Sequence, residues 1–210
     1  MYITILRMGF GFLQNIITCS EVIVVKMVVG IVLTVIKNNM VCLITGGERS
    51  GKSKYAQDKA LILTQRPAYL ATARKWDDDF AIRIDRHRKE RDERWTTIEE
   101  EKYISKVSGG EVIVLDCITL WLSNIFSDTK GNVSESLAFA KEELARAFQM
   151  KCHWIFVTNE IGMGVHASTE AGRKFVELQG WTNQFIAAQA DEVFLMVSGI
   201  PLQVKRLRPV

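Results

Sequence analysis

The chain has 210 residues, 48% of them hydrophobic and 24% charged, and carries a formal net charge of +3. That is ordinary globular composition, long enough for one domain with a real core. The positive excess is too small to point to a nucleic-acid partner, so none is expected.

The first 39 residues stand apart. "EVIVVKMVVGIVLTVI" (Glu21 to Ile36) is apolar but short, with Lys26 inside it, whereas a membrane-spanning helix wants about 20 apolar residues. A secretory leader would want a small-residue cleavage site. Three readings stand: an upstream translation extension, a weak membrane anchor through residues 21–36, or an additional structured element. The first is the expectation, because Met40 immediately precedes the first core strand.

Val41 to Thr45 is a short β-branched apolar run, the mark of a buried strand. The stretch "ITGGERSGKSK" follows its start, with the spacing G-x-x-x-x-G-K-S from Gly46 to Ser53. Glycines there let the backbone turn so that successive N–H groups converge on an anion. Gly46, Gly47, Glu48, Arg49, Ser50 and Gly51 would cradle a triphosphate. Lys52 would reach its outer phosphates, and the Ser53 hydroxyl would reach a magnesium ion. A helix predicted over Ser50–Leu63 adds its positive N-terminal end. A nucleoside triphosphate site is expected; the fate of the phosphate is not encoded in the loop.

Further apolar runs follow at 68–72, 111–116, 154–159 and 192–197. Helical patterns lie between them at Asp77–Arg91, Ser134–Met150 and Gly172–Gln189, and 127–135 reads as a surface loop. The alternation predicts an α/β fold of the P-loop NTPase kind, a mostly parallel sheet with helices on both faces, formed by residues 40–210 as a single domain. Ligands then gather at the carboxyl ends of the strands. Asp116 closes "VIVLD" there, and is read either as a magnesium-associated acid or as a solvated strand end or helix cap. Thr72 follows "AYLA". Asn159 and Glu160 leave the fourth run ahead of Gly162 and Gly164, as a close-approach loop or a plain turn. Cys19, Cys42, Cys117 and Cys152 show no metal-ligand spacing. Buried reduced thiols at Cys42 and Cys152, together with a nucleotide site, point to the cytoplasm.

Within "DDDFAIRIDRHRKERDERW" (77–95), Asp79, Arg83, His87 and Arg91 recur every four residues and share one helix face. Such charge runs are commonly solvated, salt-bridged helices. Directly after the second strand of a nucleotide-binding sheet, His87 could do more. A neutral imidazole nitrogen is a competent nucleophile toward phosphorus, and neighbouring arginines would disfavour its cationic form and offset phosphate charge. His153 opens an apolar strand and reads as packing; His166 falls in a loop.

"TGGERSGKS", "YLAT", "RIDRHRKER" with "WTTIE", "LDCITLWLSN", "VTNEIGMG" and "GWTNQFIAAQADEVFLMVSGIP" occur in one order over almost all of 40–201. In this order they resemble the bifunctional adenosylcobinamide kinase/adenosylcobinamide-phosphate guanylyltransferase family of cobalamin biosynthesis. The resemblance does not cover residues 1–39. It implies that adenosylcobinamide is phosphorylated with ATP or GTP. A guanylyl group from GTP would then pass through a histidine, here His87, to the cobinamide phosphate. It implies a phosphate loop at Gly46–Ser53 and nucleotide contacts at Ala71, Thr72 and Ala73. Arg88, Lys89, Glu90 and Arg91 would contact GTP, with Glu99 and Asp116 completing the nucleotide set. Some members carry two adjacent histidines at the nucleophile; here Arg86 and Arg88 flank His87. Many place a proline after the arginine matching Arg91, where this chain has Asp92. The partner implied is a small corrinoid, and the family is associated with homo-oligomers, trimers above all. The rivals are a small-molecule kinase in which His87 is dispensable, and a GTP-dependent binding module. Against the latter, no pair of switch loops with a water-positioning glutamine is found.

Overall fold

The computed structural model describes residues 39–74 and 91–206 with their side chains, and the backbone of 16–19, 22–25 and 36–37. The helix predicted over 77–91 lies outside the described residues except for Arg91, and with it Arg83, Arg86, His87, Arg88, Lys89 and Glu90.

The chain divides into two compact units. In the first, residues 1–38 with 208–210, β1 (Ile16–Cys19), β2 (Val22–Val25) and β3 (Ile36–Lys37) form an antiparallel sheet in that order. No helix among the described residues is long and apolar enough to cross a membrane.

The second unit, residues 39–207, is built on seven strands. These are β4 (Val41–Gly46), β5 (Ala68–Ala71), β6 (Thr96–Glu99), β7 (Val112–Asp116), β8 (His153–Val157), β9 (Glu192–Val197) and β10 (Ile200–Arg206). Their order is β10-β9-β4-β8-β7-β5-β6, and every pairing is parallel except that of β9 with β10. The central strands carry unbroken apolar runs because both faces are covered. Leu43, Ile113, Leu115, Trp154 and Phe156 pack on one side. Cys42, Ile44, Val112, Val114, Ile155 and Val157 pack on the other.

Helix α1 (Lys52–Leu63) covers the second of these faces through Ala56 and Ala60. Three helices cover the first: α2 (Ile118–Asp128), α3 (Val133–Phe148) and α4 (Glu170–Gln189). Asn132 caps α3 by accepting from the Glu135 N–H at 3.1 Å, and Thr169 caps α4 by accepting from Gly172 at 3.0 Å. The expected parallel sheet with helices on both faces is therefore found.

In this unit helix α2 and the edge strands β6 and β10 were not foreseen. Helix α2 buries Ile118, Trp121, Leu122 and Ile125, a helical spacing inside a stretch rich in β-branched and aromatic residues. The connection predicted over 127–135 shrinks to Thr129–Asn132, where Lys130 (φ 52°) and Gly131 (φ 79°) make the reversal. Strand β6 is a four-residue edge with only partly buried side chains, too short to announce itself, and β10 is exposed along its whole length and holds Pro201.

The start of β4 is pinned by side chains as well as by its backbone pairing with β8. Met40 donates its N–H to His153 Nδ1 at 3.0 Å, and Val41 donates to Asp191 Oδ2 at 2.8 Å. His153 is thus a structural acceptor, in keeping with the packing role expected of it.

Candidate active site

The strand registers place the candidate site residues in one row. Ile44 pairs with Val157, Val157 with Asp116, Asp116 with Ala71, and Ala71 with Glu99. All five lie at the carboxyl ends of parallel strands, where the backbone leaves the sheet and loops converge. Asp116 is two strands from β4, and Glu99 two strands farther, so Glu99 stands about 10 Å from Asp116 at ordinary strand spacing. Gly46–Ser53, Ala71–Ala73 and Asp116 are brought to one end. Glu99 joins them from the exposed edge, and Arg91 precedes its strand.

The phosphate loop runs from β4 into α1. Gly51, at φ 91°, is the residue before the first helical turn, and that turn contains no acidic side chain to compete for an incoming anion. The loop is held from outside. A Cβ on Gly46 would lie 2.7 Å from the Met196 carbonyl oxygen and 2.8 Å from Ser50 Oγ. The Gly46 carbonyl accepts from the Glu160 N–H at 3.0 Å, and the Ser50 carbonyl accepts from Gly199 at 3.0 Å. Glu160 follows β8 and Gly199 lies in the β9–β10 turn, so both strands flanking β4 contribute a backbone donor to the loop.

Lys52 shares a stripe with Ala56 and Ala60, the buried face of α1, and is itself buried. Its Nζ donates to the Gly47 carbonyl at 2.5 Å and to Ser50 Oγ at 3.4 Å. Burial lowers its pKa from the ordinary lysine value, while the Asp116 and Glu48 carboxylates act to raise it. A partly desolvated ammonium held at the phosphate loop suits a polyphosphate.

Asp116 leaves β7 on the α1 side and accepts a hydrogen bond at Oδ2 from the Tyr69 hydroxyl at 3.0 Å. Thr72, fully buried, donates its hydroxyl to the Cys117 carbonyl at 2.9 Å, and Asn124 Nδ2 donates to the Thr72 carbonyl at 2.8 Å. Thr72 therefore ties the ends of β5 and β7 together. Arg74 extends this end of β5 outward, with Nε to Glu101 at 2.6 Å and Nη1 to Asp128 at 3.0 Å.

The segment after β8 rests on a buried amide. Gln179 Nε2 lies 2.7 Å from Thr119 Oγ1, 3.0 Å from Thr158 Oγ1 and 2.8 Å from the Asn159 carbonyl. Thr119 Oγ1 also accepts from the Asn159 N–H at 3.1 Å. This loop is thus held in a defined path, more than a plain turn requires. Gln179, Thr119, Asn124 and Tyr69 were missed from the sequence. Gln179 and Thr182 are polar on the inward stripe of α4 with Leu178 and Ile186, which is a signal that could have been read.

Among the described residues no group of three or more His, Cys, Asp or Glu could hold a metal ion. Magnesium needs no such cage, since it keeps waters and takes one or two protein oxygens plus phosphate oxygens. The Ser53 hydroxyl at the start of α1 and the Asp116 carboxylate fit that donor set.

Comparison with known proteins turns on this same stretch. The sequence pattern of the family described as cobinamide kinase / cobinamide phosphate guanyltransferase matches residues 42–204, which takes in the phosphate loop, the whole row of strand ends and β9. The chain belongs to this family. It is an enzyme of phosphoryl and guanylyl transfer in cobalamin biosynthesis, as the motif order implied. The bifunctional adenosylcobalamin biosynthesis protein CobU of Escherichia coli is 35% identical over 184 residues, covering 79% of this chain and 100% of that protein. CobP of Pseudomonas aeruginosa is 34% identical over 169 residues, covering 78% and 96%. CobU of Salmonella typhimurium is 34% identical over 183 residues, covering 79% and 100%.

Proposed function

We propose that the chain catalyses two successive reactions on a corrinoid. In the first, the aminopropanol hydroxyl of adenosylcobinamide attacks the γ-phosphorus of ATP or GTP. The new O–P bond forms as the bond to the β-phosphate oxygen breaks, the nucleoside diphosphate leaves, and the hydroxyl proton passes to solvent. In the second, an imidazole nitrogen of His87 attacks the α-phosphorus of GTP and pyrophosphate leaves. A phosphate oxygen of adenosylcobinamide phosphate then attacks that phosphorus and the N–P bond breaks, giving adenosylcobinamide-GDP and free His87. Splitting the transfer through a covalent histidine turns one difficult displacement into two easier ones.

The observation that carries this reading is the row of strand ends, which sets the phosphate loop, Ala71–Ala73 and Asp116 around one place. Lys52 offsets the charge on the outer phosphates in both reactions. Gly46, Gly47, Glu48, Arg49, Ser50 and Gly51 supply the loop that cradles them. Ser53 and Asp116 would hold a magnesium ion, which when bound neutralises further charge on the triphosphate. Arg88, Lys89, Glu90, Arg91 and Glu99 contact GTP during guanylyl transfer. The enzyme works as a homo-oligomer in the cytoplasm, on small molecules rather than nucleic acid.

The deciding experiment mixes the protein with α-³²P-GTP and magnesium and resolves it on a denaturing gel. Label should stay on the chain, survive base and be lost in acid, because protonation of the nitrogen cleaves a phosphoramidate. γ-Labelled GTP should leave none by this route. His87→Ala should abolish the α-label. Persistent labelling of that variant would refute the assignment of the nucleophile.

A further inference from the structure

Tyr69 lies in the middle of β5, 4% exposed, on the sheet face covered by α1. A tyrosine buried so deeply must place its hydroxyl on a partner, and here the partner is Asp116 Oδ2 at 3.0 Å. The ring has a second task. The Arg91 guanidinium carbon sits 3.7 Å from the ring centroid, a stacked cation–π contact, and Arg91 Nη2 reaches Thr97 Oγ1 at 3.4 Å. Trp95 closes the remaining side edge-on, with centroids 6.1 Å apart. One side chain thus touches the acid of the row of strand ends and the first described residue after the segment that carries His87.

We propose that Tyr69 is a positioning residue for both reactions: its hydroxyl fixes the rotamer of Asp116 toward the nucleotide, and its ring is the shelf that sets Arg91. The inference rests on the reading of Asp116 as a magnesium-linked group. The hydroxyl is buried against the carboxylate, which can only accept, so the Tyr69 O–H is the donor of this pair. With one Asp116 oxygen occupied by a neutral donor, the other is left for ligand. Without the hydroxyl the carboxylate is free to turn away from that position.

The test uses the full chain and equilibrium binding of a fluorescent GTP analogue, titrated with magnesium, in four proteins: wild type, Tyr69→Phe, Asp116→Asn and the double variant. Tyr69→Phe keeps the ring and the volume, so it should fold and keep Arg91 in place. The magnesium concentration needed for half-maximal binding should rise about tenfold, the worth of a hydrogen bond to a charged group. In the Asp116→Asn background the same change should do almost nothing, because the two residues act as one unit. Tyr69→Leu removes the shelf as well, and should lower α-³²P-GTP labelling well below that of Tyr69→Phe at saturating magnesium. A Tyr69→Phe protein with an unmoved magnesium midpoint, beside an Asp116→Asn protein whose midpoint has moved, would overturn the role of Tyr69 and spare the reading of Asp116. An unmoved midpoint in Asp116→Asn itself would overturn both. Additive shifts in the double variant would return Tyr69 to a packing role, as would equal labelling of the Phe and Leu variants.

Discussion

The N–H of Gly199, in the turn between β9 and β10, donates to the carbonyl of Ser50 at 3.0 Å, so a hairpin turn braces the phosphate loop. The contact is close on both sides. A Cβ on Gly51 would lie 3.2 Å from Gly199 Cα, and one on Gly46 would lie 2.7 Å from the Met196 carbonyl oxygen. Gly46→Ala should therefore push backbone against backbone, at a cost of about 1–3 kcal/mol. Nucleotide affinity is expected to fall about tenfold or more. Gly47→Ala meets nothing within 4 Å of the added methyl and should fall far less, so binding measurements on the pair separate crowding from a general intolerance of the loop.

Lys52→Ala removes the ammonium held at the phosphate loop. Both reactions need the triphosphate neutralised, so turnover in each should drop about 100-fold or more. Urea unfolding checks that the fold survives. Near-normal turnover in either reaction would mean that the two do not share this loop.

Gln179→Leu keeps the approximate volume but strips the donor that lies against Thr119, Thr158 and Asn159. Buried acceptors left behind cost about 1–3 kcal/mol. A lowered urea midpoint with unchanged slope is the expected result. Turnover should fall as well, since Asn159 and Glu160 lose their support beside Gly46. A midpoint equal to wild type would show that the amide contributes no net stability.

The thiols make a pH prediction. Burial pushes Cys42 and Cys117 up to about 12 and Cys152 up to about 11, from an ordinary value of 9.0. A raised thiol pKa means that the folded state binds protons more tightly than the unfolded one. Their contribution is whole below about pH 9 and is lost as pH rises through 11 to 12. Stability should accordingly fall over that alkaline range. At pH 8, peptide mapping after iodoacetamide should find these three cysteines unmodified in the native protein and modified in urea. Rapid native alkylation at Cys117 would contradict its burial.

Much of the second unit was legible because its central strands are buried on both faces and read as unbroken apolar runs. The predicted strand at 192–197 matches β9, and those at 41–45 and 68–72 match β4 and β5 to within a residue. The phosphate loop was legible because its chemistry demands fixed spacing. Helix α2 was not, because its buried apolar residues include Ile118, Trp121 and Ile125, types that favour strands when periodicity is weak. The edge strands escaped for the opposite reason: β6 and β10 bury little, so burial leaves no pattern to read. Asp116 could be picked out as the acid ending a strand. Its partner Tyr69 could not, since a tyrosine in an apolar run looks like core until the far end of its ring is located. The grouping of Gln179 with Thr119 and Asn159 depends on contacts 60 and 20 residues apart, beyond the reach of any local pattern.

Among the described residues the phosphate loop, Ala71–Ala73 and Asp116 lie at the carboxyl ends of the parallel strands, so the amino-terminal ends of β7 and β8 face away from them. Glu111 and Lys151 stand just before β7 and β8 there, both exposed. Five residues of strand place them about 17 Å from the row at Asp116 and Val157. A dye or surface tether attached at residue 151 should therefore report tumbling, assembly or immobilisation while leaving both chemistries at their untethered rates.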